Sequence, residues 1–264
     1  MAELREIRPK DVPALVGLWL DVFGDPRAYV EEFFRLLPEI GSGVAVFEQN
    51  ELLGAAYLLC GQSLVTGGRE RRCGYLYAVA VQPQARGNGF GAALCRAAAR
   101  LAEKNGCEIL VTRPAAPGLF AWYERTLGLR CALRRETKTL DARPGVLPME
   151  ALSAEEYLAR REALLSGMPH LRLSSASMQL EAANCAVYGG ALYALGEGIA
   201  AVYLDDGAAE VRELLGASDD AACALGAALG ARRVLLHRSS DEGAPYLAAS
   251  QSLPAATIWN LAFD

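Results

Sequence analysis

The chain has 264 residues, 52% of them hydrophobic and 22% charged, the composition of a folded globular protein rather than a disordered one. A net charge of −5 argues against a nucleic-acid surface, and Arg69, Arg71 and Arg72 form the one dense basic patch ahead of Arg86. The N-terminus lacks a basic region followed by an apolar run, and no apolar stretch reaches the length of a membrane span, so the expected location is cytoplasmic, with no membrane partner. Seven cysteines without a Cys-x-x-Cys pair read as reduced, mostly buried thiols, and two histidines with no cysteine near either in sequence give no metal-ligand cluster.

In chain order, Leu4 to Ile7 reads as a short strand. From Asp11, the residues Val12, Leu15, Val16, Trp19 and Phe23 fall on one helical stripe that Gly24 stops. A second amphipathic helix is expected from about Pro26 to Leu37, ended by Pro38, and then a hairpin in which Val44 to Phe47 turns at Gln49-Asn50 into Leu52 to Leu59. Tyr75 to Val81 is the next strand. The stretch Val79 to Ala92, VAVQPQARGNGFGA, joins that strand to an alanine-rich helix through a basic, glycine-punctuated loop. Such a loop cradles a phosphate: Gly87, Gly89 and Gly91 remove side chains where a ligand or the strand comes close, and Arg86 supplies positive charge. The N–H groups opening the helix add the attraction of its dipole. A triphosphate loop is excluded because Gly91 is followed by Ala92 and Ala93 rather than Lys and Ser or Thr, and Arg86-x-x-Gly89-x-Gly91 is not the dinucleotide fingerprint. Leu94, Ala98, Leu101 and Ala102 mark the buried face of the helix, which closes at Asn105-Gly106, and Ile109 to Thr112 is a short buried strand. Pro114, Pro117 and Gly118 lead into a helix carrying Tyr123.

This loop, following a strand that ends Val79-Ala80-Val81 with Pro83 beyond it, resembles motif A of the GNAT superfamily of N-acetyltransferases, whose loop binds the pyrophosphate of an acyl-coenzyme A. Leu119 to Leu129, LFAWYERTLGL, is similar to the helix-to-strand element of the same family and stands in the family's order and at its separation. The resemblance implies an α/β acyl-CoA N-acyltransferase fold with a mixed sheet over residues 1–146, and acetyl-CoA as co-substrate. It implies coenzyme contacts from Val79, Ala80, Val81, Arg86, Gly87, Asn88, Gly89, Phe90, Gly91 and Ala92, with the backbone N–H groups of Val79 and Val81 along the pantetheine. It also implies Tyr123 as the general acid that protonates the departing thiolate, although an aromatic residue at helical spacing is more often core. The expected acceptor is a primary amine of a small molecule or peptide, with a homodimer left open. The sequence departs from the family at the general base, because Tyr75, Leu76, Tyr77 and Ala78 offer no carboxylate on the central strand. A water relayed through Tyr75 or Tyr77, or Glu48 or Glu51 from the hairpin, stays open for that role. Thr112, Arg113 and Pro114 stand where the family often has an asparagine.

A linker with Pro144, Gly145 and Pro148 precedes a second domain, residues 147–264, which begins with a helix from Ala154 to Leu165. From Cys185 the pattern reads strand, a Gly189-Gly190 turn, strand to Leu195, a turn at Gly196 to Gly198, strand Ile199 to Leu204, Asp205-Asp206-Gly207 and strand Glu210 to Leu215. The helix Asp219 to Leu229, Gly230-Ala231 and strand Arg232 to His237 repeat the first half's helix, Asn105-Gly106 and Ile109 strand in order and length. The copy has no loop arginine, and Asp219 and Asp220, read as a helix cap, would repel a phosphate. The second half is therefore expected to be a degenerate, smaller lobe of the same fold that binds no coenzyme, with an unrelated α+β domain as the competing reading. The apolar end, TIWNLAFD, is expected to dock, on its own domain or at the first lobe's cleft, where Asp264 and its carboxylate would meet an amine. Two functions follow: a coenzyme A dependent N-acetyltransferase, or a non-catalytic acyl-coenzyme A sensor favoured by the missing carboxylate.

Overall fold

The computed structural model describes the chain except Met1, Ala255, Ala262 and Asp264, so the expectation placed on Asp264 lies outside the described residues. Its elements run β1 (Glu3–Glu6), α1 (Val12–Phe23), α2 (Arg27–Ile40), β2 (Gly41–Glu48), β3 (Glu51–Thr66), β4 (Arg69–Val81), α3 (Phe90–Lys104), β5 (Ile109–Thr112) and α4 (Gly118–Leu127). Then come β6 (Arg130–Asp141), β7 (Met149–Ala151), α5 (Ala154–Leu164), β8 (His170–Leu173), α6 (Ser175–Val187), β9 (Ala191–Leu195) and β10 (Gly198–Asp205). The last are β11 (Ala208–Leu215), α7 (Asp219–Ala228), β12 (Arg233–Ser239) and β13 (Ala244–Ala249). Two compact units result: one of residues up to Leu64 with Glu70–Ala132 and Tyr246–Leu253, the other of Val65–Arg69, Leu133–Pro245 and the tail from Pro254.

In the first unit the strands lie in the order β1-β2-β3-β4-β5-β13. β1 to β3 are antiparallel, β4 and β5 parallel, and β13 antiparallel to β5. A parallel pair needs a crossover, and α3 supplies it. Leu94, Cys95, Ala98, Leu101 and Ala102 line the face of α3 that is buried against Val44, Val46 and Leu58. Across the sheet strands, Trp19 of α1 and Phe33 of α2 meet Tyr57 of β3 and Tyr77 of β4, with Trp19 and Phe33 centroids 4.6 Å apart. Phe23, expected on the buried stripe, is 41% exposed and only edges against Trp19.

Three expectations are corrected here. Helix α2 carries Pro38 inside its last turn and ends at Ile40, since Gly41 still donates to the Leu37 carbonyl and proline at the end sacrifices a single bond. Strands β3 and β4 extend to a tight turn at Gly67 (φ 56°) and Gly68 (φ 74°), beyond the expected Leu59 and before the expected Tyr75. Positive φ at both central residues is what a two-residue hairpin needs, and paired glycines supply it. Cys185 to Val187, expected as a strand, ends helix α6, which Ser174 caps by accepting from the Ser177 N–H.

In the second unit the order is β6-β12-β11-β10-β9-β7, with β11 and β12 parallel and joined by α7. The strand beside each parallel pair comes from the other half of the sequence: β13 beside β5, and β6 beside β12. Inside this unit Arg161 of α5 and Glu213 of β11, both fully buried, pair at 2.8 Å, and Tyr157 donates to Glu213 at 3.1 Å. The tail is packed here as well, with Trp259, Leu261 and Phe263 each at most 3% exposed.

Candidate active site

β4 and β5 hold their parallel register only as far as Leu76 opposite Thr112, while β4 continues to Val81. The two strands therefore fork. Ala78 sits at the start of the free stretch with φ 45°, a left-handed conformation costing an alanine about 1 kcal/mol, which marks a kink in the strand. On its other side β4 stays tight to β3. Gly54 has no room for a side chain, since an added Cβ would stand 2.7 Å from the Ala80 carbonyl oxygen.

Beyond Val81, the Gln82 N–H donates to Leu53 at 2.9 Å, and Pro83–Ala85 make one tight turn. Gly87 (φ 83°) and Gly89 (φ 79°) are left-handed, so conformation demands both glycines. Gly89 is the N-cap of α3, and no side chain caps that helix. The N–H groups of Phe90, Gly91 and Ala92 thus open the helix without an internal partner. The Asn88 amide turns back to donate to Ala85 at 3.2 Å, bracing the loop, and Arg86 Nε donates to the Val81 carbonyl at 3.1 Å.

A groove of about 350 Å³ opens at this point, lined by Val81, Ala85, Arg86, Gly87, Gly89, Phe90, Gly91, Ala92 and Trp122. Its lining carries a guanidinium and a helix N-terminus and no carboxylate, which suits an anion. Gly91 differs from the other glycines: its φ is ordinary, and an added Cβ would find Trp122 only at 3.9 Å. The protein itself does not require glycine there; a guest against the helix would.

Of the residues singled out in the sequence, the groove gathers Val81, Arg86, Gly87, Gly89, Phe90, Gly91 and Ala92. Asn88 braces the loop, Ala80 is buried, and Val79 is half-buried against the core. Tyr123 stands apart from the groove and is 7% exposed. Burial raises its pKa, with Cys95 adding to the rise and a hydrogen bond with Thr112 opposing it. Thr112 also donates to the Leu76 carbonyl at 2.9 Å, so Tyr123 is tied to the residue pair where the fork begins. Trp122 and Thr112 carried no such signal beyond their place beside a recognised motif. On β4, the Tyr77 hydroxyl lies 2.8 Å from that of Tyr29, whereas Tyr75 is 2% exposed core. Glu48 and Glu51 face each other at the β2–β3 turn, at the loop end of β4 and roughly 20 Å of strand from Leu76, too far to serve the fork.

A family model described as an acetyltransferase (GNAT) domain matches residues 3–126. No curated protein matches the sequence. Among solved structures, a conserved protein of unknown function from Enterococcus faecalis superposes with a TM-score of 0.72 at 13% identity, over 94% of this chain and 72% of its own. A GCN5-related N-acetyltransferase from Kribbella flavida gives 0.68 at 19% identity over 94% and 71% of the two chains. Another from Anabaena variabilis gives 0.69 at 14%, over 94% and 72%. At these identities the likeness is one of fold. With the forked strand, the glycine loop and the open helix end in place, the chain carries, over residues 3–126, an acetyltransferase domain of the GNAT family.

Proposed function

We propose that this protein transfers an acetyl group from acetyl-coenzyme A to a primary amine of a small molecule or peptide, by direct attack of the amine on the thioester. The observation that carries this reading is that the anion groove reaches Val81, the last residue of the same strand β4 whose pairing with β5 stops at Leu76 and Thr112. The stretch of β4 from Leu76 to Val81 spans roughly 16 Å, on the scale of an extended phosphopantetheine arm. Arg86 and the N–H groups of Phe90, Gly91 and Ala92 would hold the pyrophosphate, and the open space over Gly91 fits it. The backbone of Val79 to Val81, past the last β4–β5 pair, would hold the arm by strand-like hydrogen bonds.

Tyr123 is the residue we assign as general acid. Its raised pKa keeps the hydroxyl protonated at neutral pH, ready to donate to a departing thiolate, and its hydrogen bond with Thr112 holds it beside the fork. For the base, the hydroxyl pair of Tyr77 and Tyr29 would accept the amine's proton through water, since β4 offers no carboxylate between Gly74 and Val81. We also propose that the second unit is a degenerate copy of the first, on the strength of the shared strand order and helical crossover. The absence of a carboxylate on β4 between Gly74 and Val81 favours one other reading, a non-catalytic acyl-coenzyme A sensor.

Thiol release from acetyl-coenzyme A over a panel of primary amines decides between them. Amine-dependent release, lowered 10²- to 10⁴-fold in Tyr123→Phe with coenzyme affinity kept, is the expected result. Coenzyme binding with no release on the whole panel would establish the sensor, and no binding would remove both readings.

A further inference from the structure

Outside the groove, one pair of reactive side chains is placed for chemistry of its own. Cys60 on β3 and Cys107, just past the C-terminal end of α3, are 47 residues apart in sequence, yet their sulfurs lie 3.6 Å apart in a hydrogen bond. Both are half-buried, so solvent reaches them. The arrangement is fixed from several sides. Gly106 turns the chain with φ 70°, and the Cys107 N–H donates to Ala102 at 2.9 Å. Gly74 on the intervening β4 leaves the space that the Cys107 sulfur takes, since a Cβ there would come within 3.2 Å of it. Arg72 donates to the Asn105 carbonyl at 2.9 Å, which keeps its guanidinium at this corner.

We propose that Cys107 and Cys60 form an oxidisable dithiol that reacts with hydroperoxides and closes to a disulfide, a modification site independent of acetyl transfer. The two thiols have unequal tasks. Cys107 is the nucleophile, because the hydrogen bond from Cys60 lowers its pKa and Arg72 adds to that against the opposing effect of burial. Cys60, whose pKa is raised by the same hydrogen bond and by burial, is the resolving thiol. The Cys107 thiolate attacks a peroxide oxygen, forming an S–O bond as the O–O bond breaks, and the expelled alkoxide or hydroxide takes up a proton. The Cys60 sulfur then attacks the Cys107 sulfenic acid, forming S–S and breaking S–O. The hydroxide that leaves departs as water with the Cys60 proton. Two thiols lose two electrons, and one hydroperoxide becomes an alcohol, or water, plus water. Closing the bond brings the sulfurs roughly 1.5 Å nearer, a movement within reach of side-chain rotation. Cys131, exposed, is the internal control for plain accessibility, and Cys73, Cys95, Cys185 and Cys223 are buried.

The test treats the whole protein with one equivalent of hydrogen peroxide, alkylates the remaining thiols and maps peptides without reduction. A Cys60–Cys107 linked peptide that disappears on adding dithiothreitol is expected, with the other five of the seven cysteines alkylated. In Cys60→Ser, dimedone should trap a sulfenic acid on Cys107, while in Cys107→Ser Cys60 should stay unlabelled. Oxidation of Cys131 with Cys60 and Cys107 both still alkylated would overturn the proposal, as would a disulfide between any other pair. Equal dimedone labelling of Cys60 in Cys107→Ser would overturn the assignment of roles. Should either variant fail to fold by circular dichroism, the wild-type peptide map decides alone.

Discussion

Glycine stands at three positions of one loop for two different reasons. Gly87 and Gly89 are left-handed, so an alanine at either is strained whatever surrounds it. Gly91 is a helical residue with free space toward Trp122, and the intrinsic preference of a helix for alanine is close to 1 kcal/mol. Gly91→Ala is therefore expected to leave thermal stability unchanged or slightly raised while weakening acetyl-coenzyme A at least tenfold. Melting curves and a calorimetric titration of the same sample check both halves, and unchanged affinity would place the pyrophosphate elsewhere. His237 gives a pH signature of a different kind. It is 6% exposed, its Nδ1 lies 2.9 Å from the Thr137 hydroxyl, and burial lowers its pKa, with Arg135 and Arg212 adding to this and Glu210 opposing it. With the folded pKa below the unfolded value of about 6.5, the unfolded chain binds the proton more readily, so stability is lost as pH falls below that value. Melting temperature should drop between pH 7.5 and 5.5, and His237→Gln should flatten that slope.

At the scale of elements, α3 and α7 occupy corresponding places between parallel strands and differ at their first turns. α3 opens on Gly89 with no side-chain cap, whereas Ser218 caps α7 by accepting from the Ala221 N–H. Asp219 and Asp220, expected as the cap, occupy the first turn instead, where Asp219 pairs with Lys138 at 2.6 Å and with Arg238. One helix end is open and positive; the other is closed and carries carboxylates. Calorimetry of the whole protein should thus give one acetyl-coenzyme A per chain, and Ser218→Gly should leave that number at one. A stoichiometry of two would show that α7 still accepts an anion. This contrast was readable in the sequence, because loop glycines, an arginine and first-turn aspartates act locally. The fork itself was not readable. Nothing in Tyr75 to Val81 announces that pairing to β5 stops at Leu76, since a strand's partner lies far away in the chain.

The whole molecule depends on strands that a linear reading assigns elsewhere. β13, near the end of the chain, pairs Ala248 with Thr112 and Ala249 with Val111, and Ser250 donates to Leu110 at 2.9 Å through its backbone N–H. A chain ended at residue 146 would leave β5 an open, apolar edge. Such a truncated chain is expected to aggregate or to lose its cooperative unfolding transition, and a sharp transition with native-like coenzyme affinity would show that β13 is dispensable. By itself the sequence determined the glycine-punctuated loop between β4 and α3, the helix that carries Tyr123 and most of the first lobe's elements. These are written in local spacing: glycines where φ must be positive, and apolar residues at the period of a helix or strand. Only the tertiary structure decided where β4 and β5 part, that Trp122 lines the groove while Tyr123 sits at the fork, that Cys60 meets Cys107, and that β13 pairs with β5. Each of those joins residues tens to more than a hundred positions apart, and backbone hydrogen bonding between distant strands leaves no periodic trace in either one.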